Sequence, residues 1–324
     1  LSLVLLVAAT LLARSFLEMQ RGAPGFRAAN VLAVSLHSSW GTDAAKLQTL
    51  YARSLEAFAE LPGVRSVGVI DRLPLRGGTQ TQPVLVAGRD LSPELRDSPV
   101  GRRMASTGYF ATAGIPLRRG RLFTDRPEGP LEVVVNESFA RRYFPGGDPL
   151  GQRISFDKAT RAGGARYWEV VGIIGDVRQN AQKEQAVPPE IYTSYVRTYW
   201  PLAEFVLRVD GDPHQWITPA REAAARVAPD LPVQKFETME AVVADSYTEP
   251  RLHSWLLGGF ALTALLLAAI GLYGVLASDV AQRTREFGVR LALGAAPAAI
   301  SKLTLWRGLS VTLVGLAAGC AGAL

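Results

Sequence analysis

Long uncharged runs alternate with amphipathic stretches along this chain, and the runs come first because they set the topology. Residues 255–277 carry no charged side chain and are long enough, at about 1.5 Å per residue, to cross roughly 30 Å of hydrocarbon. Residues 308–324 are uncharged again, and residues 1–13 are wholly apolar or small. The pattern predicts α-helical transmembrane segments over 1–17, 254–278 and 303–324, the first and last of them cut short. A run like 1–13 also suits the centre of a signal peptide, but no basic residue precedes it, which favours the tail of a spanning helix. Residues 279–302 predict a short amphipathic hinge between two spans. On a helical wheel Asp279, Arg283, Glu286 and Arg290 share one stripe, and Val280, Phe287 and Leu291 share another. Gly294 reads as the stop and Pro297 as the start of the next helix.

The large region between the first two spans, residues 18–252, alternates strand-like and helix-like periods and predicts an α+β domain. Residues 31–36 read as a strand. Asp43 caps a helix whose apolar positions Leu47, Leu50, Tyr51, Leu55 and Phe58 recur at helical spacing, and residues 64–70 form the next strand. A second strand-helix-strand unit has strands at 205–209 and 233–236, with Trp216, Ile217, Ala220, Ala224 and Val227 on the helix. Between these units an insertion, about 82–199, is richer in Gly, Pro and short β-like runs. Strands are predicted there at 131–135, 167–174 and 191–195, with Asn136 capping a short helix that ends in the turn 144–149. The insertion reads as a second, β-rich lobe carried on the first, and Gly146 or Gly147 as a turn position needing positive φ.

Charge fixes the orientation. Arg283, Arg285, Arg290, Lys302 and Arg307 cluster at the hinge, which places it in the cytoplasm and the large domain on the opposite side of the membrane. The excess of 35 Lys and Arg over 29 Asp and Glu is modest and dispersed, so no nucleic-acid partner is expected. Cys320 is the only cysteine, which rules out an intrachain disulfide. His37, His214 and His253 are not at metal-ligand spacing, no Gly-x-Ser-x-Gly elbow is present, and Gly172-Ile-Ile-Gly175 reads as tight strand packing, not a dinucleotide fingerprint. Gly315 and Gly319 form a small-xxx-small pair that suits a helix contact in lipid as well as chance in an Ala/Gly-rich span. The chain has no Gly-Lys pair and therefore no phosphate loop. No catalytic role, metal or cofactor is expected.

Three stretches of the large domain, GYFATAGIPLRRGRLF at 108–123, VVNESFARRYFPGGDPLG at 134–151 and WEVVGIIGDVR at 168–178, resemble the periplasmic core domain of MacB-like ABC transporter permeases. REFGVRLALGA at 285–295 resembles the first cytoplasmic segment of the FtsX-like permease domain. The opening LSLVLLV, with Arg14-Ser-Phe16 and Pro24-Gly-Phe26, is similar to the start of the second half of the acidobacterial duplicated orphan permeases. The resemblance implies a multi-pass inner-membrane permease subunit in efflux or mechanotransmission, its large domain in the periplasm. An ATP-binding cassette ATPase would dock on the hinge, with Arg283, Arg285, Glu286, Phe287, Arg290, Leu291 and Gly294 as the coupling residues. Further implied partners are a second permease half or a homodimer mate, the lipid bilayer and a periplasmic adaptor. The other reading is a membrane-anchored sensor or assembly module without ATP-driven movement.

Overall fold

A computed structural model describes residues 24–246, apart from 40, 79, 157–165, 181–186, 199 and 230–232, together with scattered positions between 259 and 289. Two compact units divide the chain, Ala23–Tyr247 and the pair of segments Leu1–Gly22 and Thr248–Leu324. In chain order the first contains β1 (Val31–His37), α1 (Ala44–Ala59), β2 (Val64–Ile70), β3 (Gln80–Gln82), β4 (Leu85–Val86), the single turn α2 (Pro93–Arg96), β5 (Val100–Ala105), α3 (Thr107–Ala113) and β6 (Leu117–Gly120). There follow β7 (Glu132–Asn136), α4 (Glu137–Tyr143), β8 (Arg153–Ser155), β9 (Trp168–Ile174), β10 (Glu190–Ser194) and β11 (Leu202–Val209). A 3₁₀ turn (Pro213–Trp216) leads into α5 (Ile217–Val227), β12 (Val233–Thr238) and α6 (Met239–Ser246).

The two strand-helix-strand units form where the sequence pattern put them. Asp43 accepts hydrogen bonds from the amides of Ala45 and Lys46, at 2.9 and 3.3 Å, and so satisfies two otherwise orphaned donors at the start of α1. β1 runs antiparallel to both β12 and β11, and β11 antiparallel to β2. Period-2 alternation sorts their side chains onto two faces. Leu32, Val34, Leu36, Val69, Phe205 and Leu207 pack under α1 and α5, where Phe205 meets Phe58 and Tyr51 edge-on at 5.4 and 6.0 Å. Val31, Ala33, Ile70 and Val206 face the other way, toward α3 and α6.

The insertion is not a separate lobe. Its strands continue the same twelve-stranded sheet, in the order β12-β1-β11-β2-β5-β10-β7-β9-β8-β4, with β3 on β5 and β6 on β9. The ladder pair at the join is Ile70 with Ala105. It is reinforced by Asp71 N to Met104 O at 2.9 Å, Ser106 N to Val69 O at 2.8 Å and Val69 N to Ser106 Oγ at 3.0 Å. One apolar cluster runs across the join, with Ile70, Val206 and Met239 from the first part and Tyr109, Phe110, Phe123, Val134 and Tyr192 from the second. Close backbone contact makes this possible. A Cβ on Gly68 of β2 would stand 2.3 Å from the Tyr109 Cα; within the insertion, one on Gly172 would stand 2.1 Å from the Arg121 carbonyl oxygen.

The turn after α4 separates the two glycines that the sequence treats alike. Gly146 has φ +74° and open space around its Cα, whereas Gly147 has no positive φ. Gly146→Val is therefore expected to destabilise the chain by about 1–2 kcal/mol, the cost of a left-handed non-glycine residue. Gly147→Val is expected to be nearly neutral. Thermal melting of the two single variants distinguishes them, and equal losses would contradict the assignment.

Among the described residues no helix is long and apolar enough to cross a membrane. The spans predicted over 1–17 and 303–324 lie outside the described residues, and that over 254–278 is described only at separate positions. Those positions are helical, with Phe260, Leu262, Leu266, Leu267, Ile270 and Tyr273 exposed.

Candidate functional site

Of the seven predicted coupling residues, two are described. Arg283 lies at a turn, its amide donating to the Val280 carbonyl at 3.2 Å, and Arg285 follows in a helical stretch with its side chain exposed. Thr284 Oγ1 donates back to Ala281 O at 2.9 Å, a local bond that competes with the helix ladder next to that turn. Glu286, Phe287, Arg290, Leu291 and Gly294 lie outside the described residues.

Within the large unit, the face that carries the bridging apolar cluster changes character toward one end. Along β1 the alternation continues from Val31 and Ala33 to Ser35 and His37, and along β11 from Val206 to Glu204 and Leu202. Lys235 and Glu237 of β12 join them. Together with Asp71, Arg72 and Arg76 these residues line a cleft of about 340 Å³. Its roof is the loop that leaves β2. The loop passes over β11 and β1 and is pinned to β12 by an ion pair between Arg76 and Glu237. Leu73 and Leu75 anchor it in the apolar cluster, 1% and 8% exposed. Leu75 has φ +65°, a left-handed conformation that a branched side chain adopts only when its surroundings hold it there. Gly77 and Gly78, at φ +64° and +69°, complete the turn.

Most charges of the cleft are paired. Glu237 also accepts from Lys235 at 2.9 Å, and Glu204 accepts from Ser35 Oγ at 2.6 Å with His37 Nε2 at 3.2 Å from its other oxygen. Asp71 and Arg72 are the exceptions. Asp71 is 8% exposed, and one carboxylate oxygen accepts from the Met104 amide at 3.3 Å. The carboxylate also accepts from the Asp71 backbone N–H, and no side-chain donor reaches it among the described residues. Arg72 uses one guanidinium nitrogen, donating to Gly77 O at 3.2 Å. Desolvation pushes the Asp71 carboxyl above the usual carboxylate range, against the pull of Arg103, the Met104 amide and Arg72.

Behind Asp71 lies a fully buried polar network. Arg103 of β5 and Glu190 of β10 are both 0% exposed and face each other across parallel strands, Arg103 Nε 3.5 Å from Glu190 Oε1. Glu190 Oε2 accepts from Gln179 Nε2 at 2.9 Å and from Tyr192 Oη at 2.8 Å, and Arg103 donates to Gln179 Oε1. Burial raises the Glu190 carboxyl, with Arg103 opposing. The charge of the segment VGRRMA conceals β5 in the sequence, because a buried arginine breaks the apolar pattern by which strands are recognised. Among the described residues no group of three side chains is placed to hold a metal ion.

The motif stretches turn out to build the fold. Tyr109, Phe110, Ile115 and Phe123 fill the bridging core, and Phe139, Tyr143 and Phe144 fill the core of the insertion. Asp176, at the end of the third stretch, accepts from the Ser138 amide at 2.8 Å and so secures the first turn of α4. A family model, the MacB-like periplasmic core domain, matches residues 1–238, nearly three-quarters of the chain. The chain belongs to that family. The FtsX-like permease C-terminal model matches residues 258–324. The macrolide export ATP-binding/permease protein MacB of Aggregatibacter actinomycetemcomitans is 24% identical over 225 residues, covering 65% of this chain and 33% of that protein. The MacB of Azoarcus sp. is 24% identical over 290 residues, 84% and 40% respectively. The probable syringafactin export ATP-binding/permease protein SyfD of Pseudomonas syringae pv. tomato is 26% identical over 242 residues, 71% and 35%. The chain thus spans about a third of the length of these relatives. Among solved structures, the periplasmic region of MacB from Actinobacillus actinomycetemcomitans aligns at TM-score 0.47 and 15% identity, over 71% of this chain and 98% of that one.

Proposed function

We propose that the chain is the permease part of an ABC-type export or mechanotransmission complex, in which a partner ATPase on the cytoplasmic side drives movement of the periplasmic domain. The supporting observation is the succession of two family matches on one chain, a periplasmic core over 1–238 continued by an FtsX-like permease over 258–324. The relatives named above are ATP-binding/permease proteins, whereas this sequence has no Gly-Lys pair on which to build a phosphate loop. Hydrolysis therefore falls to another polypeptide segment, and residues 283–294 are its docking site. The opening segment fits the second half of a tandem permease of the acidobacterial duplicated orphan type. The other permease half, or a second copy, completes the membrane part. The test is affinity purification of the full-length protein from membranes, with the bound proteins identified. A phosphate-loop ATPase is expected to co-purify and to be lost as salt rises, because exposed arginines govern such docking. Recovery of the protein without any ATPase favours the sensor or assembly reading.

A further inference from the structure

We infer that the cleft beneath the loop after β2 is a binding site for a small zwitterion, one that carries an ammonium group and a carboxylate a few bonds apart. Most charges in the cleft are already engaged. Glu237 is held by Arg76 and Lys235, and Glu204 by Ser35 and His37. The unspent groups are neighbours in sequence and of opposite sign. Asp71 is more than nine-tenths buried, and its carboxylate accepts only from backbone N–H groups, those of Met104 and of Asp71 itself, with no side-chain donor among the described residues. Arg72, half-buried beside it, has guanidinium N–H groups beyond the one given to Gly77. Asp71 lines the cleft, and an ammonium group placed against its carboxylate forms a charge-assisted hydrogen bond. The adjacent guanidinium suits a carboxylate at the other end of the same ligand. The cleft volume of about 340 Å³ falls at the small end of ligand pockets, in keeping with a molecule of amino-acid size. The Leu202 side chain supplies an apolar surface for the connecting carbons. The roof is fixed by the Arg76–Glu237 ion pair and by Leu73 and Leu75, so the site is formed before the ligand arrives.

The experiment is isothermal titration of the full chain in lipid nanodiscs with three probes of equal chain length, γ-aminobutyrate, butylamine and butyrate. γ-Aminobutyrate is expected to bind, butylamine to bind more weakly, and butyrate to give no saturable heat. Asp71→Asn, an isosteric change, is expected to weaken γ-aminobutyrate and butylamine at least about tenfold. Arg72→Gln is expected to weaken γ-aminobutyrate alone, bringing it to the level of butylamine. Thermal melting of each variant without probe shows that it is folded. The inference is overturned if γ-aminobutyrate gives no saturable heat, or if both variants bind it as the wild type does.

Discussion

Arg103→Met is expected to destabilise the folded chain by about 3–5 kcal/mol, the loss found when one partner of a buried ion pair is removed and the other is left behind. Arg103 and Glu190 are both fully buried, and Gln179 and Tyr192 are oriented around the same carboxylate. The double change Arg103→Met with Glu190→Gln removes both charges and is expected to be less damaging than Arg103→Met alone. The single variant also acquires a pH dependence of known sign. Burial already raises the Glu190 carboxyl, and Arg103 is the largest influence holding it down. Without Arg103 the folded-state value rises further above the unfolded value of about 4.3. A group whose folded value is raised binds its proton more tightly when folded, so its contribution is present below the unfolded value and is lost as pH rises through the folded one. Arg103→Met is therefore expected to lose more stability between pH 5 and pH 8 than the wild type loses. Urea midpoints at the two pH values measure this. A single variant as stable as the double one at pH 8 would contradict it.

Phe110→Ala is expected to be comparably severe, at about 3–5 kcal/mol. The ring is 1% exposed and meets Tyr109, Phe123 and Tyr192 edge-to-face at 5.7, 5.8 and 5.5 Å. These partners come from α3, the segment after β6, and β10, so the ring sits in the cluster that spans the join at Ile70 and Ala105. For a unit of this size the loss corresponds to a melting point lower by roughly 6–20 °C. Phe156, packed on Trp168 at the insertion's far side, does not reach the join. Proteolysis of Phe110→Ala is accordingly expected to begin near the join, and cleavage confined to the insertion's outer strands would argue against the bridging role.

The elements that the sequence makes legible are those whose side chains obey one pattern throughout. β1 is a short apolar run buried on both faces, α1 carries helical spacing with an Asp43 cap, and the strand at Val64–Ile70 forms over the residues expected. β5 and α3 were not legible, because Arg102 and Arg103 interrupt the apolar pattern and α3 is a seven-residue helix rich in Gly and Thr. The continuity of the sheet was hidden for a related reason. It depends on the single ladder pair of Ile70 with Ala105, the hydrogen bonds beside it and the close approach at Gly68, and none of these leaves a periodic trace. The cleft was also invisible in advance. Its Asp71, Arg72 and Arg76 look like an ordinary solvated loop, and only the fold shows that the loop is pegged by Leu73 and Leu75 across two strands. The coupling residues, by contrast, rest on sequence and resemblance alone, and of them the structure describes Arg283 and Arg285.

Coupling of an ATPase through residues 283–294 is tested most directly by the partner's ATP hydrolysis, measured with the full-length protein in membranes and with variants of the segment. Exchanging the charges of Arg285 and Glu286 is expected to weaken docking and stimulated hydrolysis in a salt-dependent way, since exposed charges act through association and specificity. Phe287→Ala is expected to lower both through lost packing and to be insensitive to salt. Gly294→Val is expected to uncouple hydrolysis while leaving binding measurable if Gly294 is the helix stop that the sequence pattern predicts, since a left-handed stop does not accommodate a branched side chain. Unchanged hydrolysis and unchanged co-purification in all three variants would contradict the account and leave the segment as a positively charged loop between membrane helices.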